Sequence, residues 1–220
     1  MVVLRNAKGL DALRAALAQV APDVPVEERS RADLDGLVGG AAHQGVVLEA
    51  DPLPELCVED WLARHAAPDA LAVILDGVED PHNFGAIVRS AAACGASGVL
   101  YGKDRSAPIS TVSMKSAAGA MEYIDLVRAT NVARALEALK AAGFWIAALD
   151  AGAAQTIWEA DLRGRVGLVI GSEGSGIRPL VSRHCDFHLR IPLTGPITSL
   201  NASVSAAIAL AECLRQRQRS

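Results

Sequence analysis

The sequence predicts an α/β fold, a mostly parallel sheet covered by helices, preceded by a small α/β unit. Three features carry this reading. From residue 70 onward, short continuous apolar runs alternate with stretches of helical period, the pattern of strands buried on both faces. Polar, glycine-bearing loops follow several of those runs, where an open parallel sheet places its ligands. A composition of 51% apolar but only 4% aromatic residues supports a core of Ala, Val, Leu and Ile and argues against disorder.

Residues 1–50 mix a helical pattern (Leu10, Leu13, Leu17) with short strands expected near 24–26 and 45–48. Asp51-Pro-Leu-Pro54 opens a linker assigned to 51–69, because proline removes donors and favours extended chain. A short helix is expected within it at 58–65. The larger domain spans 70–220, with strands at 71–75, 98–101, 123–127, 144–149, 166–170 and 187–191. Helices are expected at 85–94, 132–142, 177–185 and 202–216, the last apolar on nearly all sides and therefore buried in the core or at a subunit interface.

A net charge of −4 argues against nucleic-acid binding by bulk charge but leaves room for a local basic patch. Cys57, Cys94, Cys185 and Cys213 are scattered without a CxxC, which predicts reduced, buried thiols in a cytoplasmic protein. His43, His184 and His188 lack metal-ligand spacing, so no metal is expected. No basic-then-apolar leader is evident at the start. Residues 191–211 carry no charge, yet Pro192, Pro196 and a run of hydroxyl and amide side chains argue against a membrane span.

Three segments can bring chemistry together. Gly171-Ser-Glu-Gly-Ser-Gly176 follows an apolar strand and can let a ligand approach its backbone, or can be a tight strand-to-helix turn. Its GxxGxG spacing is neither a P-loop, a dinucleotide fingerprint nor a nucleophile elbow. Asp80-Pro-His-Asn-Phe-Gly-Ala-Ile-Val-Arg89 opens a helix that Asp80 or Asn83 can cap, and Arg89 can grip a phosphate or form a surface ion pair. Ile191-Pro-Leu-Thr-Gly-Pro-Ile-Thr-Ser-Leu-Asn201 leads into the last helix, which Asn201 can cap. Glu173 can orient Arg89, hold a ligand hydroxyl, or face solvent.

Taken together, Asn83-x-Gly85-x-x-x-Arg89, Leu168-Val-Ile-Gly-Ser-Glu-Gly-Ser-Gly176, and Ile191-Pro-Leu193 through Ser199-Leu-Asn201-x-Ser203 resemble the three motifs of the SpoU branch of the SPOUT RNA methyltransferases. Lys103-Asp-Arg-Ser106, Thr130-Asn-Val-Ala-Arg134 and Arg183-His-Cys-Asp186 also resemble the subgroup that methylates a guanosine ribose in large-subunit (23S) ribosomal RNA. The stretch 39–45 looks like the end of that subgroup's small RNA-binding domain, whose opening strand and helix look absent, as Met1 starts partway in.

The resemblance implies a C-terminal trefoil knot that forms a pocket for S-adenosylmethionine. It implies cofactor contacts from Gly171, Gly176, Ile191, Ser199 and Leu200, and a catalytic set of Arg89, Asn83, Glu173, Ser199 and Asn201. It further implies a homodimer and an RNA substrate, with transfer RNA or a non-catalytic role in RNA binding or ribosome assembly as alternatives. A nucleotide-binding oxidoreductase would use the same sheet but lacks its glycine spacing here. The tail Arg215-Gln-Arg-Gln-Arg219 can touch phosphates or fray into solvent.

Overall fold

The computed structural model describes residues 1–5, 9–40, 42–107 and 109–218. Ala41 and Arg219, which fall in segments singled out above, lie outside the described residues. The chain divides into Met1–Pro52 and Leu53–Ser220.

In the first unit, β1 (Val2–Leu4) lies between β2 (Glu27–Arg29), which is parallel to it, and β3 (Val46–Val47), which is antiparallel. The helix α1 (Leu10–Val20) makes the crossover between the parallel pair, and α2 (Arg31–Leu37) follows β2. Ser30 and Asp33 form a reciprocal capping box at the start of α2, satisfying two otherwise free N–H groups. Val3 and Leu34 are fully buried. The strand expected at 24–26 begins instead at Glu27, because Pro25 has no N–H to give the ladder.

The second unit holds an eight-stranded, all-parallel sheet. Its strands are β4 (Glu55–Leu56), β5 (Leu71–Asp76), β6 (Gly98–Gly102), β7 (Asp125–Ala129), β8 (Trp145–Leu149), β9 (Gln155–Thr156), β10 (Val166–Gly171) and β11 (Phe187–Arg190). Their order across the sheet is β4-β7-β6-β5-β10-β8-β11-β9. The helices are α3 (Val58–Arg64), α4 (Pro81–Ala93), α5 (Thr111–Ala117), α6 (Val132–Ala141), α7 (Pro179–His184) and α8 (Ala202–Arg217).

The central strand β5 is buried along its whole length, and its side chains alternate between two cores. Leu71, Val73 and Leu75 pack with Phe84, Ile87, Ala206 and Leu210 of α4 and α8. Ala72 and Ile74 pack with Trp61, Leu136 and Leu139 of α3 and α6. A continuous apolar run with helices on both faces is what such a sheet requires.

Residues 53–69 are therefore part of the second unit rather than a linker. Glu55 and Leu56 extend the sheet edge beside β7, and Trp61 is fully buried, donating Nε1–H to the Ser97 carbonyl at 3.2 Å. The proline-rich stretch 51–54 spans the division between the two units. The strand expected at 123–127 starts at Asp125, since Tyr123 lies in a turn and is 86% exposed. The edge strands β4 and β9 and the helix α5 are too short to show a period in sequence.

Arg215 and Arg217 of the tail are held by contacts within the chain. Arg215 pairs with Glu212, and Arg217 donates to the carbonyls of Leu162, Asp69 and Gly164. The thiols are free, and Cys57, expected to be buried, is exposed and accepts the Asp60 N–H at the start of α3. Among the described residues no helix is long and apolar enough to cross a membrane, and no cluster of His, Cys, Asp and Glu could hold a metal ion.

Candidate active site

The site is built where β5, β10 and β11 end. β5 and β10 are neighbours in register, Asp76 opposite Gly171, so their outgoing loops start side by side. Gly171 cannot carry a side chain, because a Cβ there would overlap the backbone of Gly176 and Ile177. The loop closes on itself: Ser172 and Gly176 exchange N–H···O bonds of 3.1 Å, with Gly174 and Gly176 at φ 87° and 67°. Its exit is fixed by Arg178, whose backbone N–H and Nε–H both donate to the fully buried Asp76 carboxylate at 2.7 Å.

Asp80 caps α4 by accepting the His82 N–H at 3.0 Å, with Pro81 in the first turn. This starts the helix earlier than expected and places Asn83 in its first turn, facing inward at 6% exposure. Gly85 is explained by packing: a Cβ there would run into the Ser113 carbonyl and lie 2.7 Å from Ser116 Cβ, so glycine lets α4 and α5 touch.

The three segments meet through one carboxylate. Asn83 Nδ2 donates to Glu173 Oε1 at 2.8 Å, and Asn201 Nδ2 donates to the same oxygen at 2.5 Å. Asn201 Nδ2 also reaches Asn83 Oδ1 at 3.0 Å. The other end of Asn201 caps α8, with Oδ1 accepting from Ser203 N–H at 2.9 Å and Val204 N–H at 3.3 Å. Asn201 is thus both helix cap and network member.

Beside this network lies a cavity of about 830 Å³. Gly171, Gly176, Ile191, Ser199 and Leu200 all line it, with Glu173 and Asn201 at the shared wall. Sequence reasoning missed Leu149, Asp150 and His188, which line it as well. Asp150 is the first polar residue beyond the apolar strand β8, a position at the carboxyl end that could have marked it. A second cavity of about 450 Å³ abuts the first through Ser172, Glu173, Ser175 and Ala202, and is lined by Asn83, Glu79, Arg105 and Arg178.

Arg89 is not brought to the network. It lies six residues along α4 from Asn83, on the order of 9 Å by helical rise. It is exposed and has no hydrogen-bond or ion-pair partner among the described residues. Glu173, one of whose expected roles was to orient Arg89, instead accepts from the two asparagines.

A parallel sheet whose loops close over a glycine-lined cavity at its carboxyl end is the architecture of a small-ligand transferase or binding domain. The chain belongs to the SpoU rRNA Methylase family, whose model matches residues 70–211. A second model, RNA 2'-O ribose methyltransferase substrate binding, matches residues 3–56.

The chain is 44% identical over 198 residues to a Pseudomonas putida protein named 23S rRNA (guanosine-2'-O-)-methyltransferase RlmB, covering 89% of this chain and 79% of the relative. A Vibrio vulnificus protein of the same name is 42% identical, with 88% and 79% covered. Among solved structures, the SpoU methyltransferase AviRb from Streptomyces viridochromogenes in complex with AdoMet superposes with a TM-score of 0.73 at 26% identity, over 98% of this chain and 82% of that one.

Proposed function

We propose that this chain methylates the ribose 2′-hydroxyl of a guanosine in 23S ribosomal RNA, with S-adenosylmethionine as donor. The observation that carries the reading is the Asn83–Glu173–Asn201 network, which ties all three motif segments together at the wall of the glycine-lined cavity.

The cavity fits the cofactor. Its volume lies within the usual range for ligand sites, about 300–1,000 Å³. Ile170, Leu149, Ile191 and Leu200 offer apolar walls, and the Gly171–Gly176 turn exposes backbone where a side chain could not be fitted. In this reading Gly171, Gly176, Ile191, Ser199 and Leu200 hold the cofactor, largely through backbone groups. When bound, it supplies an electrophilic methyl carbon on a sulfonium.

What remains for the protein is alignment and proton removal. The site would have to hold the 2′-oxygen facing the donor's methyl group, and such positioning can lower a barrier by up to about 7–11 kcal/mol. The hydroxyl proton must leave as the O–C bond forms, and a placed acceptor contributes about 10²–10⁴-fold. Arg89 offers a fork of N–H donors and no acceptor, so it grips the neighbouring phosphate and polarises the hydroxyl, and the proton passes to water. Asn83, Glu173, Ser199 and Asn201 orient the nucleotide beside the cofactor. A reactive 2′-hydroxyl selects RNA over DNA, and a splayed nucleotide is the form that can enter.

The reading includes a cytoplasmic homodimer with the knotted C-terminal segment that the family resemblance implies. Exposed apolar side chains near the site support a partner subunit, with Val204 of α8 46% exposed and Met114 of α5 44%. Methyl transfer from radiolabelled S-adenosylmethionine to protein-free 23S rRNA tests the function, with the product mapped. Label at one ribose 2′-oxygen, lost in Arg89→Ala, is expected. Cofactor binding without transfer to any RNA would sink the catalytic assignment.

A further inference from the structure

Beyond the cavities at the network lies another, of about 410 Å³, on the far side of Arg105 and Arg178. Three stretches of chain line it: 102–105 after β6, 130–133 at the start of α6, and 178–181 at the start of α7. The first two fall in the inter-motif segments Lys103–Ser106 and Thr130–Arg134, which no step of the proposed chemistry uses. They are distant in sequence, yet adjacent strands β6 and β7 deliver them to one cleft.

The lining has a definite chemistry. Lys103, Arg105 and Arg178 supply three cations against one carboxylate, Asp104. Arg178 is already held by Asp76. Lys103 and Arg105 are both exposed, and neither side chain has a hydrogen-bond or ion-pair partner among the described residues. Leu180, 56% exposed, adds an apolar wall. Two uncommitted cations beside an apolar wall suit a nucleotide, with its phosphate on the cations and its base or sugar on the leucine.

Position says which nucleotide. Arg105 and Arg178 line both this cleft and the cavity that contains Asn83 and Glu173. The two hollows therefore share a wall, and the nearer one abuts the cofactor cavity. The nearer hollow differs in charge, since there the same two arginines are outnumbered by Asp76, Glu79, Asp80 and Glu173, which makes it the poorer place for a phosphate. A phosphate farther along the strand than the one assigned to Arg89 is better matched by the farther cleft, where cations outnumber the single carboxylate.

We propose that this cleft binds the RNA strand beside the target nucleotide, with Lys103 and Arg105 as the phosphate-binding residues. The proposal rests on the RNA-methylation reading above. Arg105 has a backbone feature that makes the test clean. Its φ is +55°, a conformation natural to glycine and uncommon for arginine. Arg105→Gly therefore keeps the loop at least as comfortably as the wild type while deleting the charge.

The experiment is filter binding of protein-free 23S rRNA across a series of salt concentrations, with turnover and cofactor affinity measured alongside. The proteins are wild type, Lys103→Gln, Arg105→Gln, Arg105→Gly and Arg105→Lys. Removal of either charge is expected to weaken RNA binding about tenfold and to reduce the salt slope by about 1. Arg105→Gly should match Arg105→Gln, Arg105→Lys should retain most of the slope, and cofactor affinity should not move. In turnover the loss should fall on KM for RNA rather than on kcat.

Wild-type-like affinity and slope in the glutamine variants would overturn the cleft assignment while leaving methylation standing. RNA affinity lost in the variants, in a protein that never transfers a methyl group, would leave the cleft standing and remove the catalytic reading. Normal affinity in Arg105→Gly beside a loss in Arg105→Gln would show that Arg105 acts through loop structure, which also overturns the proposal.

Discussion

Arg178 donates both its backbone N–H and its Nε–H to Asp76 at 2.7 Å, and a third contact runs from Nη2 to the same carboxylate. This joins the end of β5 to the residue that leaves the Gly171–Gly176 turn. Asp76 is fully buried, so loss of the Arg178 side chain would leave its carboxylate short of hydrogen-bond partners. Arg178→Ala should therefore destabilise the larger unit by about 2–4 kcal/mol, below the ~3–5 of a fully buried pair because the Arg178 side chain is 39% exposed. The melting temperature should fall by roughly 5–15 °C. Cofactor affinity, measured by calorimetry below the transition, should weaken as the turn loosens. An unchanged melting temperature would mean that the pair does not hold the loop.

How far the sequence already showed this arrangement depends on the length of each signal. Strands such as Leu71–Asp76 and Val166–Gly171 were legible because uninterrupted apolar runs have few other uses in a chain this size. Two-residue edge strands have no period to read. The cavity wall from Gly171 to Leu200 was legible through the motifs. Asp76–Arg178 was not, because a pair 102 residues apart leaves no local pattern. Neither was the shared acceptor of Asn83 and Asn201, which exists only once two loops and a helix cap are placed together.

Asn201 joins two functions that a substitution can separate. Serine is as good a helix cap as asparagine but lacks the amide that reaches Glu173. Asn201→Ser should leave thermal stability within about 1 kcal/mol of wild type, whereas Asn201→Ala should lose about 1 kcal/mol through the cap. Both should lower single-turnover methyl transfer by at least about tenfold, if the network orients the reacting groups. Wild-type transfer by Asn201→Ser would reduce the residue to a cap.

Gly85 falls in the first motif, yet its surroundings are structural. Alanine there would place a methyl carbon against the Ser113 carbonyl and 2.9 Å from the Ala117 nitrogen, forcing α4 and α5 apart. The expected destabilisation is about 1–3 kcal/mol, as for other overpacked contacts. Chemical unfolding of Gly85→Ala measures it. Cofactor affinity should hardly change, because Gly85 lines neither the cofactor cavity nor its neighbour. A large loss of affinity with normal stability would place Gly85 at the site after all.

The thiols give a pH dependence with a definite sign. Burial, reinforced by the Asp186 and Asp76 carboxylates, pushes Cys185 from an ordinary value of 9.0 up to about 12. Burial also pushes Cys213 up to about 12. In the unfolded chain these groups ionise near 9, while in the fold they stay neutral, so the unfolded state binds fewer protons above that pH. Their contribution to stability is complete below about pH 9 and is lost as pH rises toward about 12. Urea unfolding under reducing conditions at pH 8, 9.5 and 10.5 should therefore show the stability gap between wild type and Cys213→Ala shrinking with pH, since alanine has no proton to lose. At pH 8, maleimide should modify the exposed Cys57 first and leave Cys213 intact until the protein opens. Parallel pH curves for wild type and Cys213→Ala, or early labelling of Cys213, would mean that the thiol is reached by solvent despite its place among Ala206, Ala209 and Leu210 in the core.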